Sequence, residues 1–148
     1  MSTKTIFIAF TLKNSSVAEF FVEIANQLSQ FNKVIIFTHS VENHSLILNN
    51  QIELLRWPSP RPTRLADVIF LRKMVKEYRP QIMISNFAAV NLFLIVGLIF
   101  KIPQRIAWYH TLYDQIEKNR FLKFRKKIIY AFATHIIANS NASLHLLF

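Results

Sequence analysis

The run Thr5 to Thr38, TIFIAFTLKNSSVAEFFVEIANQLSQFNKVIIFT, decides the architecture. Thr5 to Phe10 is continuously apolar and rich in β-branched and aromatic residues, the pattern of a strand covered on both faces. A polar loop, Thr11 to Ser16, follows. Ser15 or Ser16 then caps a helix whose apolar positions Val17, Phe20, Phe21, Ile24, Ala25 and Leu28 recur at helical spacing. Glu19, three residues beyond Ser16, suits a capping box. Val34 to Thr38 is a second strand of the buried type, and strand, helix, strand in that order asks for a right-handed parallel crossover.

Outward from that unit the alternation continues. His39 to Asn50 reads as loop, and Ile52 to Trp57 as a third strand ended by Pro58, Pro60 and Pro62, since proline cannot donate to a ladder. Leu65 to Tyr78 carries Leu65, Val68, Ile69, Arg72, Val75 and Lys76 at helical spacing and stops at Arg79-Pro80. Gln81 to Ser85 is a fourth strand with Asn86 at its end, Phe87 to Lys101 an almost wholly apolar helix, and Arg105 to Tyr109 a fifth strand running into His110. Glu117 to Phe132 is a basic helix, and His135 to Ala138 a sixth strand leading into Asn139, Ser140 and a final helix start. The expectation is an α/β fold in one domain, a Rossmann-like parallel sheet flanked by helices.

Composition narrows the classes. At 148 residues one core is expected, and 52% hydrophobic residues speak against disorder. The longest apolar run, Phe87 to Phe100, is broken by Asn91 and is shorter than the roughly 20 residues a bilayer span needs, so it reads as a buried helix. The N-terminal apolar stretch lacks a signal-peptide core and a cleavage site, so export is not expected. The absence of cysteine excludes disulfides and thiolate metal sites and fits a reducing cytoplasm. No histidine-based metal spacing occurs, so no metal site is expected. Charge is uneven: residues 1 to 60 balance, whereas residues 61 to 148 hold the whole excess of ten positive charges. An anionic partner on that side follows: a lipid surface, a phosphorylated substrate or, third for want of any zinc-finger, RRM or KH pattern, nucleic acid.

The dinucleotide signature is missing. The loop after the first strand is Leu12-Lys13-Asn14-Ser15-Ser16, and the only glycine, Gly97, lies in a helix, which disfavours a dehydrogenase or a P-loop NTPase. The ordered pieces LRKMVKEYRPQIMISNF, RIAWYHTLYD and ATHIIANSNAS, with an apolar and a basic helix between them, resemble the N-terminal half of GT-B glycosyltransferases of the family 4 (group 1) type. The chain departs from that family in lacking first-loop glycines and in having Thr111 after the histidine. The resemblance implies an acceptor-binding domain, a nucleotide-sugar donor held mostly by a second Rossmann-like domain, a saccharide or lipid-linked acceptor, and no cofactor. The chain stops on Leu-Leu-Phe just after a helix begins, which leads to the expectation that it is a piece of a longer protein.

Candidate residues follow from strand ends. His110, at the end of the fifth strand, is the catalytic candidate: an imidazole there can hydrogen-bond the transferred sugar or accept a proton near neutral pH. Lys13, Asn14, Ser15 and Ser16, in the first strand-to-helix loop, can hold an anion or sugar hydroxyls, and Asn86, Asn139 and Ser140 can line the same cleft. Capping and turn formation are the alternative roles for these polar residues. His39, His44 and His135 read as structural or exposed. Lys118, Arg120, Lys123, Arg125, Lys126 and Lys127 interleave with Phe121, Leu122 and Phe124, a composition suited to anionic lipid, and equally to a core-packed helix with a solvated cationic face. The expected location is cytoplasmic, peripheral on the inner face of the membrane where that helix docks. The competing class is a non-enzymatic α/β module that docks on an anionic membrane or a partner.

Overall fold

The computed structural model describes residues 3–13, 15–39, 48–109 and 120–138. Six strands form one all-parallel sheet in the order β3-β2-β1-β4-β5-β6. They are β1 (Thr5–Ala9), β2 (Lys33–Thr38), β3 (Glu53–Arg56), β4 (Ile82–Asn86), β5 (Gln104–Tyr109) and β6 (His135–Ala138). Among the described residues, four helices accompany them: α1 (Ser16–Ser29), α2 (Leu65–Tyr78), α3 (Val90–Ile99) and α4 (Arg120–Tyr130). The order is that of a Rossmann-like sheet, as the strand and helix alternation implies.

Central strands are apolar on both faces because both are covered. Ile6, Ile8, Val34 and Ile36 pack with Phe21, Val22 and Ala25 of α1. Phe7, Ala9, Ile35 and Phe37 point the other way, against Leu71 and Val75 of α2 and Phe93 and Val96 of α3. The two tryptophans divide the same way: Trp57 sits among Phe37, Phe70 and Phe93, and on the other face Trp108 meets Phe20 and Phe21 edge-on. The outer strands β3 and β6 alternate between half-buried and exposed positions, as one-sided edges do. At the amino ends of the strands, Lys33 reaches Glu53 at 3.5 Å and lies 4.6 Å from the Tyr78 ring centroid, while the Tyr78 hydroxyl donates to Glu53.

Helix boundaries agree with the sequence pattern better than helix rotation does. The cap of α1 is Ser15, whose Oγ accepts the Ala18 N–H at 3.2 Å, so Glu19 falls one position too far for the expected capping box. Phe20, expected on the inner stripe, is 46% exposed, and Ala18 and Val22 take the core positions. On α2, Leu65 and Ile69 face outward although the spacing puts them on the apolar stripe, and Asp67 is buried instead. Its carboxylate accepts the Arg64 N–H at 2.9 Å and the Ser59 N–H at 3.1 Å, which turns the helix so that Leu71, Met74 and Val75 meet the sheet.

The apolar helix opens with a short 3₁₀ turn, Phe87–Ala89, before α3 proper. Buried α3 residues face both the sheet and α4, which is why nearly every position is apolar. Gly97 lets Arg105 of β5 pass close beneath: a Cβ there would lie 2.9 Å from Arg105 Cδ. The Arg105 guanidinium donates to the carbonyls of Ile102 and Phe132, clasping the ends of α3 and α4. Among the described residues, no helix is long and apolar enough to cross a membrane.

Candidate functional site

Between β1 and β4 the strand order reverses, so the chain leaves the carboxyl ends of these neighbours in opposite directions and opens a crevice. A cavity of about 570 Å³ lies there. One wall is the loop and first turn after β1, with Thr11, Lys13, Ser15, Val17 and Ala18; another is His39 beyond β2. Trp57, Pro60, Arg61 and Pro62 after β3 form a third, and Asn86 to Ala89 after β4 close the site.

Each wall has a local cause. The β1 loop is tied to β2 by the Leu12 N–H donating to Thr38 Oγ1 at 3.3 Å, and by Thr11 Oγ1 lying 3.5 Å from His39 Nδ1. The proline-rich wall is anchored at both ends: Trp57 is buried in an aromatic cluster, and the Ser59 N–H is held by the fully buried Asp67. Along α1 the Ala18 N–H is taken by the Ser15 cap, while Ser16 and Val17, at the first two helical positions, have no intrahelical acceptor to bond. That end carries the positive pole of the helix dipole.

Asn86 is the least ordinary residue in the cleft. It is only 2% exposed, yet neither Oδ1 nor Nδ2 has a hydrogen-bond partner among the described residues. Unmet amide groups of this kind cost roughly 1–3 kcal/mol each unless something answers them. Next to it, Phe87 has φ of 52°, a left-handed backbone costly for an aromatic residue, and its ring is largely exposed. Lys13, Arg61 and His39 supply positive or ionisable nitrogen to the cavity, and among the described residues no aspartate or glutamate lines it.

Of the residues singled out from sequence, the structure brings Lys13, Ser15 and Asn86 together, and Ser16 stands exposed beside the cavity without lining it. His110, Asn14, Asn139, Ser140 and Lys118 lie outside the described residues. His39, read as structural or exposed, lines the cavity, as do Thr11, Trp57 and Arg61, none of which the sequence reading selected. A cation flanked by prolines just beyond a strand's carboxyl end was the available signal for Arg61.

The basic helix α4 contains Arg120 and Lys123, and further along it Arg125 and Lys127 are exposed, with Phe124 63% exposed and Ile128 beside them. Ile129 and Tyr130 pack against Val90, Leu94 and Ala107. Lys126 departs from the expected cationic face. It is half-buried, with Nζ 5.8 Å from the Tyr109 ring centroid, and burial, then the Arg125 charge, pulls its ammonium below the usual lysine range. Burial, then Tyr109, raises the Tyr130 phenol above its ordinary range. Among the described residues no group of acidic, histidine or cysteine side chains could hold a metal ion.

The model of one protein family, described as Glycosyltransferase Family 4, matches residues 17–147. The chain is similar in structure to a glycosyltransferase from Rickettsia africae ESF-5, with a TM-score of 0.67 and 18% identity over 99% of this chain and 40% of that one. It is also similar to Anabaena HepE, solved in complex with UDP and glucose, with a TM-score of 0.58 and 20% identity over 99% of this chain and 40% of that one. At these identities the likeness is one of fold, and the chain spans 40% of the length of either structure. No curated protein sequence matches it.

Proposed function

Because the chain belongs to Glycosyltransferase Family 4, we propose that it is the acceptor-side domain of a GT-B enzyme that moves a sugar, a hexose for preference, from a nucleotide-sugar donor to a saccharide or lipid-linked acceptor. Retention of anomeric configuration and independence from metals or other cofactors belong to the same reading. The observation that carries it is the cavity at the reversal of strand order, walled by a helix N-terminus, Lys13, Arg61 and the unsatisfied Asn86. The UDP and glucose bound to Anabaena HepE support a nucleotide-sugar donor.

In such a transfer an acceptor hydroxyl forms a bond to the anomeric carbon as that carbon's bond to the nucleoside diphosphate breaks, and the hydroxyl proton passes to a base or to the departing phosphate. This chain's share is to hold the acceptor and turn one hydroxyl toward the donor. Charge developing on the leaving phosphates falls to the second domain. His110 directly follows Tyr109, the last residue of β5, and is the candidate to hydrogen-bond the transferred sugar or take the proton. The test is turnover of nucleotide sugars by the full polypeptide, alone and with acceptors. His110→Ala is expected to lose turnover with unchanged melting; retained turnover would remove His110 from the mechanism, and no turnover of any nucleotide sugar would end the proposal.

A second reading is favoured by the exposed Phe124 and Ile128 beside Arg125 and Lys127 on α4. This surface suits docking on an anionic membrane from the cytoplasmic side, as the seat of a peripheral enzyme or of a non-enzymatic module. Binding to vesicles that requires anionic lipid and weakens with salt is expected, and binding to neutral vesicles alone would contradict it.

A further inference from the structure

We infer that Asn86 and Phe87 act as a pair that reads one sugar ring, so that the cavity selects its acceptor by a saccharide and not by a lipid tail; this rests on the acceptor-side reading above. Both residues stand in local states that the fold alone does not reward. Asn86, the last residue of β4, is 2% exposed, with Oδ1 and Nδ2 both unanswered among the described residues. It precedes the 3₁₀ turn Phe87–Ala89, yet its side chain makes no capping bond there. Phe87 adopts a φ of 52°, where a β-carbon is crowded and glycine is the usual residue, and its ring is 53% exposed instead of being buried in the core. Two adjacent unfavourable choices on one wall of the cavity mark a place where binding, not folding, sets the residue types.

The ligand chemistry follows from the two groups. A primary amide presents a donor and an acceptor side by side. Two hydroxyls on neighbouring carbons match it, one accepting from Nδ2 and the other donating to Oδ1. The apolar C–H face of a pyranose can lie on an exposed phenyl ring while its hydroxyls point to the amide. Trp57, Pro60 and Pro62 give the facing wall the apolar character that a ring face needs. An alkyl chain would cover Phe87 but leave both amide atoms unmet, and a phosphate would meet Nδ2 alone. The amide atoms lie just beneath the cavity surface, so the sugar reaches them as the Phe87–Ala89 turn yields, and the left-handed backbone of Phe87 is where that turn has least to lose.

The experiment uses the full polypeptide and the variants Asn86→Ala, Phe87→Gly and Phe87→Tyr. The probes are the methyl pyranosides of glucose, galactose and mannose, hexanol as a lipid-like alcohol, and uridine as a nucleoside, each titrated by calorimetry. At least one pyranoside is expected to bind more tightly than hexanol or uridine. Asn86→Ala should weaken it about tenfold and Phe87→Gly about three- to tenfold, while Phe87→Tyr, which keeps the ring, retains it. Deoxy analogues lacking one of the paired hydroxyls should reproduce the Asn86→Ala loss and not add to it. Both Asn86→Ala and Phe87→Gly should melt at or above the parent temperature, since one removes an unmet buried amide and the other a strained backbone. Weaker binding with undiminished melting is a combination that a purely structural role does not give. A lower Tm for both variants with binding unchanged assigns the pair to the fold and overturns the inference, as does preferential binding of hexanol or uridine, or binding of none of the pyranosides. Sugar transfer to an alcohol acceptor unmoved by both variants would do the same while leaving the glycosyltransferase reading intact. Pyranoside binding lost in Asn86→Ala, with no nucleotide sugar turned over, would keep the pair and remove that reading.

Discussion

Replacing Asp67 by asparagine tests the origin of the cavity's proline-rich wall. Asp67 is fully buried on the first turn of α2, and both carboxylate oxygens accept backbone N–H groups, Ser59 at 3.1 Å and Arg64 at 2.9 Å. An asparagine keeps one acceptor and puts an amide donor where the other oxygen was. One N–H then loses its partner and confronts a second donor. A hydrogen bond to a charged group contributes about 1.5–3 kcal/mol, and a buried unmet donor costs about 1–3 kcal/mol. Removing the buried charge returns part of that through desolvation. The expected net loss is about 2–3 kcal/mol, or roughly 4–12 °C in Tm for a domain of this size. Urea unfolding followed by circular dichroism reads it directly. Because Ser59 is one of the two partners, the loop carrying Pro60, Arg61 and Pro62 should loosen too. Stability within about 0.5 kcal/mol of the parent, or above it, would refute the reasoning, since the buried charge would then cost as much as its two bonds contribute.

Gly97→Ala should destabilise although alanine is the better helix former by about 1 kcal/mol. The new Cβ would lie 2.9 Å from Arg105 Cδ, and Arg105 cannot swing aside without releasing the Phe132 carbonyl at 2.7 Å. Overpacking of about 1–3 kcal/mol therefore outweighs the propensity gain, and in an Arg105→Ala background the sign should reverse; a higher Tm for Gly97→Ala alone would sink the close-packing argument. Tyr78 gives a pH signature. Its phenol is pushed up to about 12, first by the hydrogen bond to Glu53, then by burial and by the charges of Glu53 and Glu77. The unfolded value is about 10. Its stabilisation is thus complete below pH 10 and lost as pH rises through 12. Between those limits the parent should lose more stability than Tyr78→Phe, and parallel curves for the two would show that the Glu53 contact contributes nothing.

The sheet was legible because its strands are continuous apolar runs, a signal that needs no tertiary information. The bounds Leu65 to Tyr78 and His135 to Ala138 coincide between sequence and structure, with Arg79-Pro80 stopping α2 as expected. What did not read out was the rotation of α1 and α2 about their axes. Hydrophobic spacing favoured Leu65 and Ile69 for the core of α2, but the backbone bonds of Asp67 decided the rotation, and a carboxylate at that spacing looks like an exposed residue. The same limit applied to the cavity. Lys13, Ser15 and Asn86 stand at strand ends and were readable as such. His39, Trp57 and Arg61 join them only because β2 lies beside β1 in the sheet and β3 beyond β2, a long-range arrangement no local pattern carries.

The placement of the two tryptophans has an optical consequence. Trp57 forms part of the cavity wall, whereas Trp108 lies against Phe20 and Phe21 on the opposite face of the sheet and outside that wall. Nature has thus supplied an indicator and its reference in one polypeptide. With Trp108→Phe the emission of Trp57 reports occupancy of the cleft without an attached dye, and with Trp57→Phe the remaining indole follows the far face of the same sheet.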